Sequence, residues 1–339
     1  MASVQTTLNI DSVLLEKAGI PADSLKGEVA VVTGGASNIG LGYSRSVAAA
    51  GGCVVIADFN AEAGAETERV INEENGRDCA LFVKTDVTKQ EDIDNLAAKA
   101  LAKFGKVDIL IHNAMNMRLN GPILSSTIEE LDQSYAISAR GAAMLIKAFV
   151  PGMIERKHGT VVYSATQFHY APPMVGGTVY TAGKAAATSV VMSLANEVKQ
   201  VGQEPAPGGF GGFGGPAPTE NKSGVNVFCY CPAGVMRFDL SKMPPPPPPK
   251  PGEPERPKID FSAFKMTTPE ENAAAMVFCL LRAENLHGSG VIHNDVFEAM
   301  GYPFHDVKPA KVPGAPEPRR LTDQELTMVF CYMGDGFSK

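Results

Sequence analysis

The sequence predicts an α/β protein, a single domain built on a doubly wound parallel sheet with helices on both faces. Three observations lead to this class. Short apolar runs alternate with helical segments along most of the chain. The runs are almost continuously apolar, which is typical of strands buried on both faces of a parallel sheet. A glycine-rich turn follows the first run, at the position where such folds open towards a ligand.

The strands are predicted from runs rich in Val, Ile, Leu, Ala and Cys that are too short for buried helices. They lie at 29–33, 53–57, 79–84, 107–112, 161–165, 225–231 and 290–293. Helical periodicity predicts helices at 39–51, 89–104, 127–150, 178–201 and 269–282. The third of these begins at Thr127 with Glu130 three residues later, which is the signature of a capping box.

Size and charge limit the possible functions. The chain has 339 residues, with 30 Lys and Arg against 37 Asp and Glu, and a formal net charge of −7. This acidic balance argues against nucleic acid as a partner, because phosphate backbones require a basic surface. No uninterrupted apolar run reaches the ~18 residues of a membrane span, and no secretory pattern opens the chain, so we expect a cytoplasmic protein without membrane association. The six Cys lack metal-ligand spacing, and we expect reduced thiols and no metal site.

Glycine and proline concentrate in two segments that cannot bury apolar surface, at 202–224 and at 237–267. We predict that both are inserts in one domain of residues 27–302, and that the second forms a lid over the substrate. Residues 1–26 form an N-terminal extension with one short helical pattern. Residues 303–339 form a C-terminal tail whose helical pattern is expected to dock on a neighbouring subunit.

The glycine-rich turn reads Thr33-Gly-Gly-Ala-Ser-Asn-Ile-Gly40 and joins the first strand to the first helix. Its glycines let the backbone approach a pyrophosphate, and the helix N-terminus adds N–H donors. Asp58 ends the next strand, where a carboxylate can bind both ribose hydroxyls of an adenosine and repels a 2′-phosphate. No Lys or Arg lies in the turn or directly after Asp58. The pattern predicts a Rossmann-type dinucleotide-binding domain that uses NAD rather than NADP.

Tyr180 and Lys184 are four residues apart on a predicted helix, so their side chains share one face. A phenol has a pKa near ~10, and lowering it by about three units for acid–base work near neutral pH requires ~4 kcal/mol. A lysine ammonium about 4 Å away supplies roughly that much at an effective dielectric constant of ~20. We therefore expect Lys184 to lower the pKa of Tyr180.

Together with three further motifs, this set resembles the short-chain dehydrogenase/reductase family, in its branch with Tyr-x-x-x-Lys spacing. The motifs are Asp86-Val87, His112-Asn113-Ala114 and Cys231-Pro-Ala-Gly-Val235, which follow the third, fourth and sixth strands. The resemblance implies Tyr180 as catalytic acid/base and Lys184 as a ligand of the nicotinamide ribose. It implies further cofactor contacts by Gly34, Asn38, Ile39 and Gly40 (pyrophosphate), Asp58 (adenosine ribose), Asp86 and Val87 (adenine), Asn113 and Ala114 (its ribose side), and Pro232 and Val235 (nicotinamide).

Four positions depart from the family pattern, and one of them is Arg237, which stands where the family often has a threonine that bonds the nicotinamide amide. Asn38 replaces the second glycine of the turn, and asparagine is the residue that tolerates a positive φ best after glycine. Met115 replaces the glycine that usually follows Asn113-Ala114. Ser138 stands where the family has an asparagine that helps to hold a proton-relay water, so the relay is expected to be altered or lost.

The catalytic hydroxyl has two candidates near the end of the fifth strand. The resemblance implies a hydroxyl about 13 residues before the tyrosine, and alignment from Gly159 favours Thr166. Ser164 remains an alternative, because residues 164 and 166 point to the same side if the strand continues through both.

The resemblance implies an oxidoreductase that transfers a hydride between NAD and an alcohol or carbonyl substrate. Tyr180 would transfer the hydroxyl proton while Thr166 or Ser164 orients the oxygen. One alternative is a non-redox enzyme, a lyase or cyclase, on the same scaffold; another is a catalytically silent cofactor-binding protein. The family's subunit pairing and the small residues at 182–188 imply a homodimer or homotetramer.

Overall fold

The computed structural model describes residues 15, 18–116, 119, 123–166, 177–202, 220–232 and 269–301. Seven strands in these ranges form one parallel sheet in the order β3-β2-β1-β4-β5-β6-β7. They are β1 (Val29–Thr33), β2 (Cys53–Asp58), β3 (Ala80–Lys84), β4 (Ile109–His112), β5 (Gly159–Ser164), β6 (Val225–Cys231) and β7 (Gly290–Ile292). The predicted doubly wound sheet is confirmed. The strand order reverses between β1 and β4, which opens a crevice at their carboxyl ends.

The helices connect the parallel strands and cover both faces of the sheet. They are α1 (Asn38–Ala49), α2 (Ala61–Asn75), α3 (Gln90–Phe104), α4 (Ile128–Tyr135), α5 (Gly141–Arg156), α6 (Thr178–Lys199), α7 (Pro269–Leu280), α8 (Ala283–Leu286) and α9 (His293–Ala299). The predicted capping box is present, since the Thr127 hydroxyl accepts from the Glu130 amide at 3.2 Å and Glu130 accepts from the Thr127 amide at 2.9 Å. A π-helical turn, Ala136–Arg140, joins α4 to α5.

The sequence analysis did not predict α2, α8 or α9. In α2 only Gly64, Thr67 and Ile71 are fully buried, so one aliphatic side chain alone marks its inner face. Such a thin apolar stripe gives almost no 3.6-residue signal. The helix is instead fixed by its ends: the Asn60 side chain accepts from the Ala63 amide at 3.1 Å, and Gly76 ends it in the left-handed conformation.

Two apolar clusters, one on each face, make this a three-layer structure. On one face Val162 of β5 packs in a cluster with Tyr43 of α1 and Met276 of α7. On the other face Val161 and Tyr163 belong to a cluster that includes residues of α3, α5 and α6. Each large aliphatic side chain buried in these layers contributes about 1.5–3 kcal/mol. The alternation along β5 decides which side chains reach the site described below.

The proposed extensions and inserts fall mostly outside the described residues. In the N-terminal extension, Leu15, Ala18, Ile20 and Leu25 are buried in the cluster that contains α1 and α7, so this part packs on the domain. The described residues contain the ends of the 202–224 insert, and neither the 237–267 insert nor the 303–339 tail. The proposed lid and the docking of the tail therefore stay predictions.

The joined helical run Ile128–Arg156 is long and apolar enough to cross a membrane by length and composition alone. Leu145, Phe149 and Met153 on this run are buried in the core cluster shared with α3 and α6. A core helix passes the same length and composition test, so this run is weak evidence for a membrane span.

Candidate active site

The glycine-rich turn has the backbone that the sequence pattern requires. Gly34 has φ +63°, and Asn38 has φ +44°, which confirms that asparagine takes the left-handed conformation here. A Cβ atom on Gly40 would collide with the Gly34 carbonyl group, so only glycine fits at position 40. The turn therefore keeps its shape despite the substitution at Asn38.

The start of α1 fits an anionic group. Its N-cap residue, Ser37, has no side-chain capping hydrogen bond, and the first turn carries no acidic side chain in this part of the described chain. Ile39 and Gly40 lie in this first turn, where backbone N–H groups lack helical acceptors. This combination fits the pyrophosphate of a dinucleotide.

Thr33 at the end of β1 ties the turn to the end of β4. Its hydroxyl accepts from the amides of Asn113 and Ala114, each at 3.0 Å. The Asn113 side-chain amide donates to the Thr33 carbonyl at 3.3 Å. A Cβ on Gly34 would come within 3.1 Å of the Ala114 Cα. Asn113 and Ala114 therefore border the turn directly, as their assignment to the cofactor site requires.

Asp58 is buried at the carboxyl end of β2, beside the same turn. One carboxylate oxygen accepts from the Ala36 amide at 3.1 Å and the other from the Asn60 amide at 3.0 Å. Asp58 thus braces the glycine-rich turn in addition to any role towards a ribose. The sequence analysis missed this bracing role, because it depends on the pairing of β1 with β2.

Asp86 and Val87 follow β3 at the same edge of the sheet. The Asp86 carboxylate accepts from the Thr88 amide at 3.0 Å and from its hydroxyl at 2.7 Å. Val87 is buried in the core cluster. The assignment of this pair to an adenine stays a prediction.

Tyr180, Lys184 and Thr166 meet where β5 ends against α6. The Lys184 ammonium donates to the Ser164 carbonyl at 2.5 Å and lies 5.8 Å from the centre of the Tyr180 ring. The Thr166 side chain is directed at the Tyr180 hydroxyl and lowers the pKa of Tyr180 against the larger effect of burial.

Ser164 lies on the other side of the sheet. Its hydroxyl is directed at Tyr43 of α1, where it partly offsets the burial that raises the pKa of that phenol. The expectation that residues 164 and 166 share a side was wrong, because β5 ends at Ser164 and strand alternation does not extend to Thr166. Of the two candidate hydroxyls, the geometry favours Thr166.

The expected electrostatic effect on Tyr180 differs from the sequence analysis. Burial raises the pKa of Tyr180 to about 12, and Lys184 is not among the groups that lower it in the described residues. Burial lowers the pKa of Lys184 to about 8. The expectation that Lys184 lowers the pKa of Tyr180 was therefore wrong, since the ammonium is held at the Ser164 carbonyl.

His112 is a buried site residue to which the sequence analysis gave no role. Its Nδ1 lies 2.8 Å from the Thr33 hydroxyl, and its Nε2 lies 3.2 Å from the Ile137 carbonyl and 3.1 Å from the Ser138 carbonyl. Because Nε2 faces two carbonyls it must carry the proton, so Nδ1 accepts from the Thr33 hydroxyl. Burial, and then the Lys184 charge, lower the pKa of His112 to about 4. His112 is therefore neutral and joins the glycine-rich turn to the π-turn.

Ser138, which replaces the expected asparagine, is fully buried in this π-turn. Its hydroxyl donates to the Met115 sulfur at 3.5 Å, so two of the four departures from the family pattern contact each other. Its carbonyl is occupied by His112. The altered or lost proton relay at this position stays a prediction.

At the end of β6, Pro232 follows Cys231 at the same edge of the sheet. Val235 lies outside the described residues, and its contact with a nicotinamide stays a prediction. The Cys231 and Cys229 side chains lie near Lys184, so β6 borders the site.

One group of possible metal ligands occurs in the described residues, at the amino ends of β1, β4 and β5. Glu28, Asp108 and His158 have ligand atoms within 4.8 Å of one another. The Asp108 carboxylate already forms ion pairs with Lys106 at 2.7 Å and Arg156 at 3.5 Å. These two cations compensate the carboxylate charges, so we interpret the group as an ion-pair cluster.

Comparison with known proteins agrees with this geometry. The family model "short chain dehydrogenase" matches residues 28–203. Short-chain dehydrogenase reductase 3a of Arabidopsis thaliana is 33% identical over 182 residues, which are 52% of this chain and 68% of that protein. The chain belongs to the short-chain dehydrogenase/reductase family, a family of oxidoreductases that bind a nicotinamide cofactor and act on small molecules.

Two solved structures share the fold. A metagenomic short-chain oxidoreductase in complex with NADP is 24% identical, with a TM-score of 0.58 over 79% of this chain and 97% of that one. A 7α-hydroxysteroid dehydrogenase complexed with NADH and 7-oxo glycochenodeoxycholic acid is 21% identical, with a TM-score of 0.63 over 80% of this chain and 94% of that one. At these identities the likeness concerns the fold alone, and the two proteins bind different nicotinamide cofactors.

Proposed function

We propose that the protein transfers a hydride between NAD and an alcohol or carbonyl substrate, with Tyr180 as the acid/base. The observation that carries this proposal is the meeting of Tyr180, Lys184 and Thr166 at the carboxyl edge of the sheet, beside the glycine-rich turn. The test is a screen of alcohols with NAD, followed by the absorbance of the reduced cofactor. Absence of reduction with every alcohol, and of oxidation with the matching carbonyls, would contradict the proposal.

In this mechanism a bound nicotinamide supplies the hydride acceptor or donor and, when oxidised, a positive charge beside Tyr180. The Thr166 hydroxyl is directed at Tyr180 and can orient the substrate oxygen. Tyr180 takes the alcohol proton during oxidation and returns it during reduction. Because burial raises the pKa of Tyr180, oxidation is expected to accelerate as pH rises and reduction to slow.

The proposed preference for NAD rests on the buried Asp58 carboxylate at the end of β2. A 2′-phosphate on the adenosine ribose would meet this negative charge, and neither the turn nor the two residues after Asp58 supplies a cation. Both Asp58 oxygens are already held by backbone amides, which fixes the carboxylate in place. We expect tighter binding of NAD than of NADP.

Asp58→Asn is expected to reduce the preference for NAD over NADP by about tenfold, because it removes the negative charge that repels a 2′-phosphate. A tenfold change corresponds to a difference of ~1.4 kcal/mol in binding free energy. Asparagine keeps an oxygen that can accept from the Ala36 amide but carries no charge. Asp58→Ala serves as the comparison, since it also removes the brace and is expected to weaken both cofactors. The measurement is a fluorescence titration of each variant with each cofactor. Equal affinity of the unchanged protein for NAD and NADP would contradict the assignment.

The two alternative functions make different predictions. A lyase or cyclase on this scaffold would turn over substrate without any change in cofactor absorbance. A silent cofactor-binding protein would bind NAD and would be insensitive to Tyr180→Phe in every assay. The contact of Ser138 with Met115 motivates the first alternative, and the direction of the Thr166 side chain towards the Tyr180 hydroxyl argues against the second.

We propose a homo-oligomer, dimer or tetramer, in which α4 contributes to the interface. Leu124 is 98% exposed, Ile128 at the start of α4 is 67% exposed, and Tyr135 at its end is 54% exposed. Ile128 and Tyr135 are seven residues apart and thus share a face of the helix. An apolar face of this kind on a helix packed against α6 suits an isologous contact.

Light scattering is expected to give at least twice the chain mass of 35.8 kDa. Ile128→Glu is expected to shift the protein towards the monomer, because a buried unpaired charge is costly. The matched control is Leu101→Glu, which places the same charge on an exposed apolar residue of α3 and is expected to leave the mass unchanged. A monomeric unchanged protein at micromolar concentration would contradict the proposed assembly.

We also propose a cytoplasmic location. Cys53, Cys79, Cys229, Cys231 and Cys279 are free thiols in the described residues, which suits a reducing compartment. Fractionation of the source cells would test this location.

A further inference from the structure

The ammonium of Lys184 is buried with little compensation for its charge. The side chain is 4% exposed, and the hydrogen bond that holds it runs to the Ser164 carbonyl. The other groups that act on its charge are the Cys229 and Cys231 thiols, and no carboxylate is among them in the described ranges. A buried cation needs compensation from its surroundings, or it loses its proton.

The face of the Tyr163 ring lies next to this ammonium. The Lys184 Nζ is 4.9 Å from the centre of the Tyr163 ring, closer than its 5.8 Å to the Tyr180 ring. A cation within ~6 Å of an aromatic face is attracted by the ring, most strongly when both are desolvated. Tyr163 is fully buried, and its ring lies 5.6 Å from the His112 ring at an interplanar angle of 31°. The ring therefore has a fixed position.

The hydroxyl of Tyr163 does not account for its presence. It is directed at Ser138, but within the described residues it forms no hydrogen bond of normal geometry. A buried hydroxyl without a well-made partner destabilises the fold, whereas phenylalanine at this position would avoid that cost. The ring, and not the hydroxyl, therefore explains why tyrosine suits this position.

We propose that Tyr163 is a positioning residue, whose ring face holds the Lys184 ammonium in its charged form at the carboxyl end of β5. The proposal rests on the proposed function, in which charged Lys184 binds the nicotinamide ribose. Tyr163 acts through Lys184 and does not contact the substrate.

The titratable groups around Lys184 come from each element packed against it. His112 of β4 is neutral, Tyr163 comes from β5, Tyr180 from α6 itself, and Cys229 and Cys231 from β6. Burial keeps the pKa of both thiols well above the neutral range, so they are uncharged. The ring of Tyr163 is therefore the group whose removal is expected to change the pKa of Lys184.

The test measures the pKa of Lys184 directly, by NMR titration of protein labelled with ¹³C at lysine Cε. The signal of Lys184 is assigned by its absence in Lys184→Met. Tyr163→Phe keeps the ring and is expected to keep the pKa of Lys184. Phenylalanine analogues with one, two and three ring fluorines at position 163 keep the shape and weaken the ring's attraction for cations. Across this series the pKa of Lys184 is expected to fall stepwise, by about one unit in total.

Tyr163→Leu removes the ring altogether and is expected to give the lowest pKa of Lys184. If that variant does not fold, the fluorinated series still decides, because its members match Tyr163→Phe in shape. An unchanged pKa of Lys184 across the series would overturn the proposal. The NMR result requires no turnover, so failure of the alcohol screen contradicts the proposed function without affecting this test.

Discussion

Tyr180→Phe is expected to lower the turnover of alcohol oxidation by about a thousandfold while leaving NAD binding nearly unchanged. A positioned acid or base contributes about 10²- to 10⁴-fold to a rate, and this substitution removes only the hydroxyl that carries the proton. The ring remains, so its packing against neighbouring groups is kept. Steady-state rates and a cofactor titration on the same preparations give the two quantities. Retention of more than a few per cent of activity would contradict acid–base catalysis by Tyr180.

The pair Thr166→Val and Ser164→Ala provides the matched comparison. Thr166→Val removes the hydroxyl that is directed at Tyr180 and is expected to reduce turnover strongly. Ser164→Ala removes a hydroxyl that faces Tyr43 on the other side of the sheet, and turnover is expected to stay close to that of the unchanged protein. A harmless Thr166→Val would remove Thr166 from the mechanism.

Acidification from pH 7 to pH 4 is expected to lower the free energy of unfolding by about 3 kcal/mol through His112 alone. This follows because a difference of one pKa unit between the folded and unfolded states corresponds to ~1.36 kcal/mol. Burial, and then the Lys184 charge, lower the pKa of His112 to about 4, whereas the unfolded chain binds this proton near its usual 6.5. A depressed histidine pKa means that the unfolded state takes up the proton first, so stability is complete above ~6.5 and falls as the pH approaches ~4.

His112→Gln tests this dependence. It is expected to lower the free energy of unfolding at pH 7 by about 1–3 kcal/mol, because the Thr33 hydroxyl loses its acceptor. The loss of stability between pH 7 and pH 4 is expected to be smaller in the variant than in the unchanged protein. Burial lowers the pKa of His287 and His293 as well, so the difference between the two proteins isolates His112. Urea unfolding at both pH values gives the free energies.

The control for this experiment is His158→Gln, which changes an exposed histidine paired with Glu28. It is expected to leave the contribution of His112 to the acid dependence in place. If His112→Gln retained the full loss of stability on acidification, the neutral buried imidazole would not be its cause.

The sheet and most helices could be predicted from the sequence because burial on both faces leaves uninterrupted apolar runs. The ends of all seven strands lie within two residues of the predicted ends. The glycine-rich turn and the carboxylate at Asp58 could also be predicted from the sequence, since each depends on a few consecutive residues. Helix α2 could not be predicted by the same means, because its polar surface leaves almost no periodic signal.

The support of the site could not be read from consecutive residues. His112 contacts Thr33, which is 79 positions away in the chain, and the Ile137 carbonyl, which is 25 positions away. In the sequence, Tyr163 does not differ from other residues of a buried strand. Its ring lies next to Lys184 only because β5 packs against α6 in the folded protein. The direction of the Thr166 side chain depended on where β5 ends, and strand ends are the least certain part of a sequence prediction.

The π-turn at Ala136–Arg140 sets the rotational phase between two stretches of one continuous helical run. A π-turn holds one residue more than an α-helical path, and each residue of an α-helix turns the chain by about 100°. Deleting a single residue there would leave α4 and α5 helical but rotate one against the other by that angle. Ile128 and Tyr135 could then face solvent only if Leu145, Phe149 and Met153 left the core. The extra residue therefore lets one helical run serve an outer apolar face and an inner one at the same time.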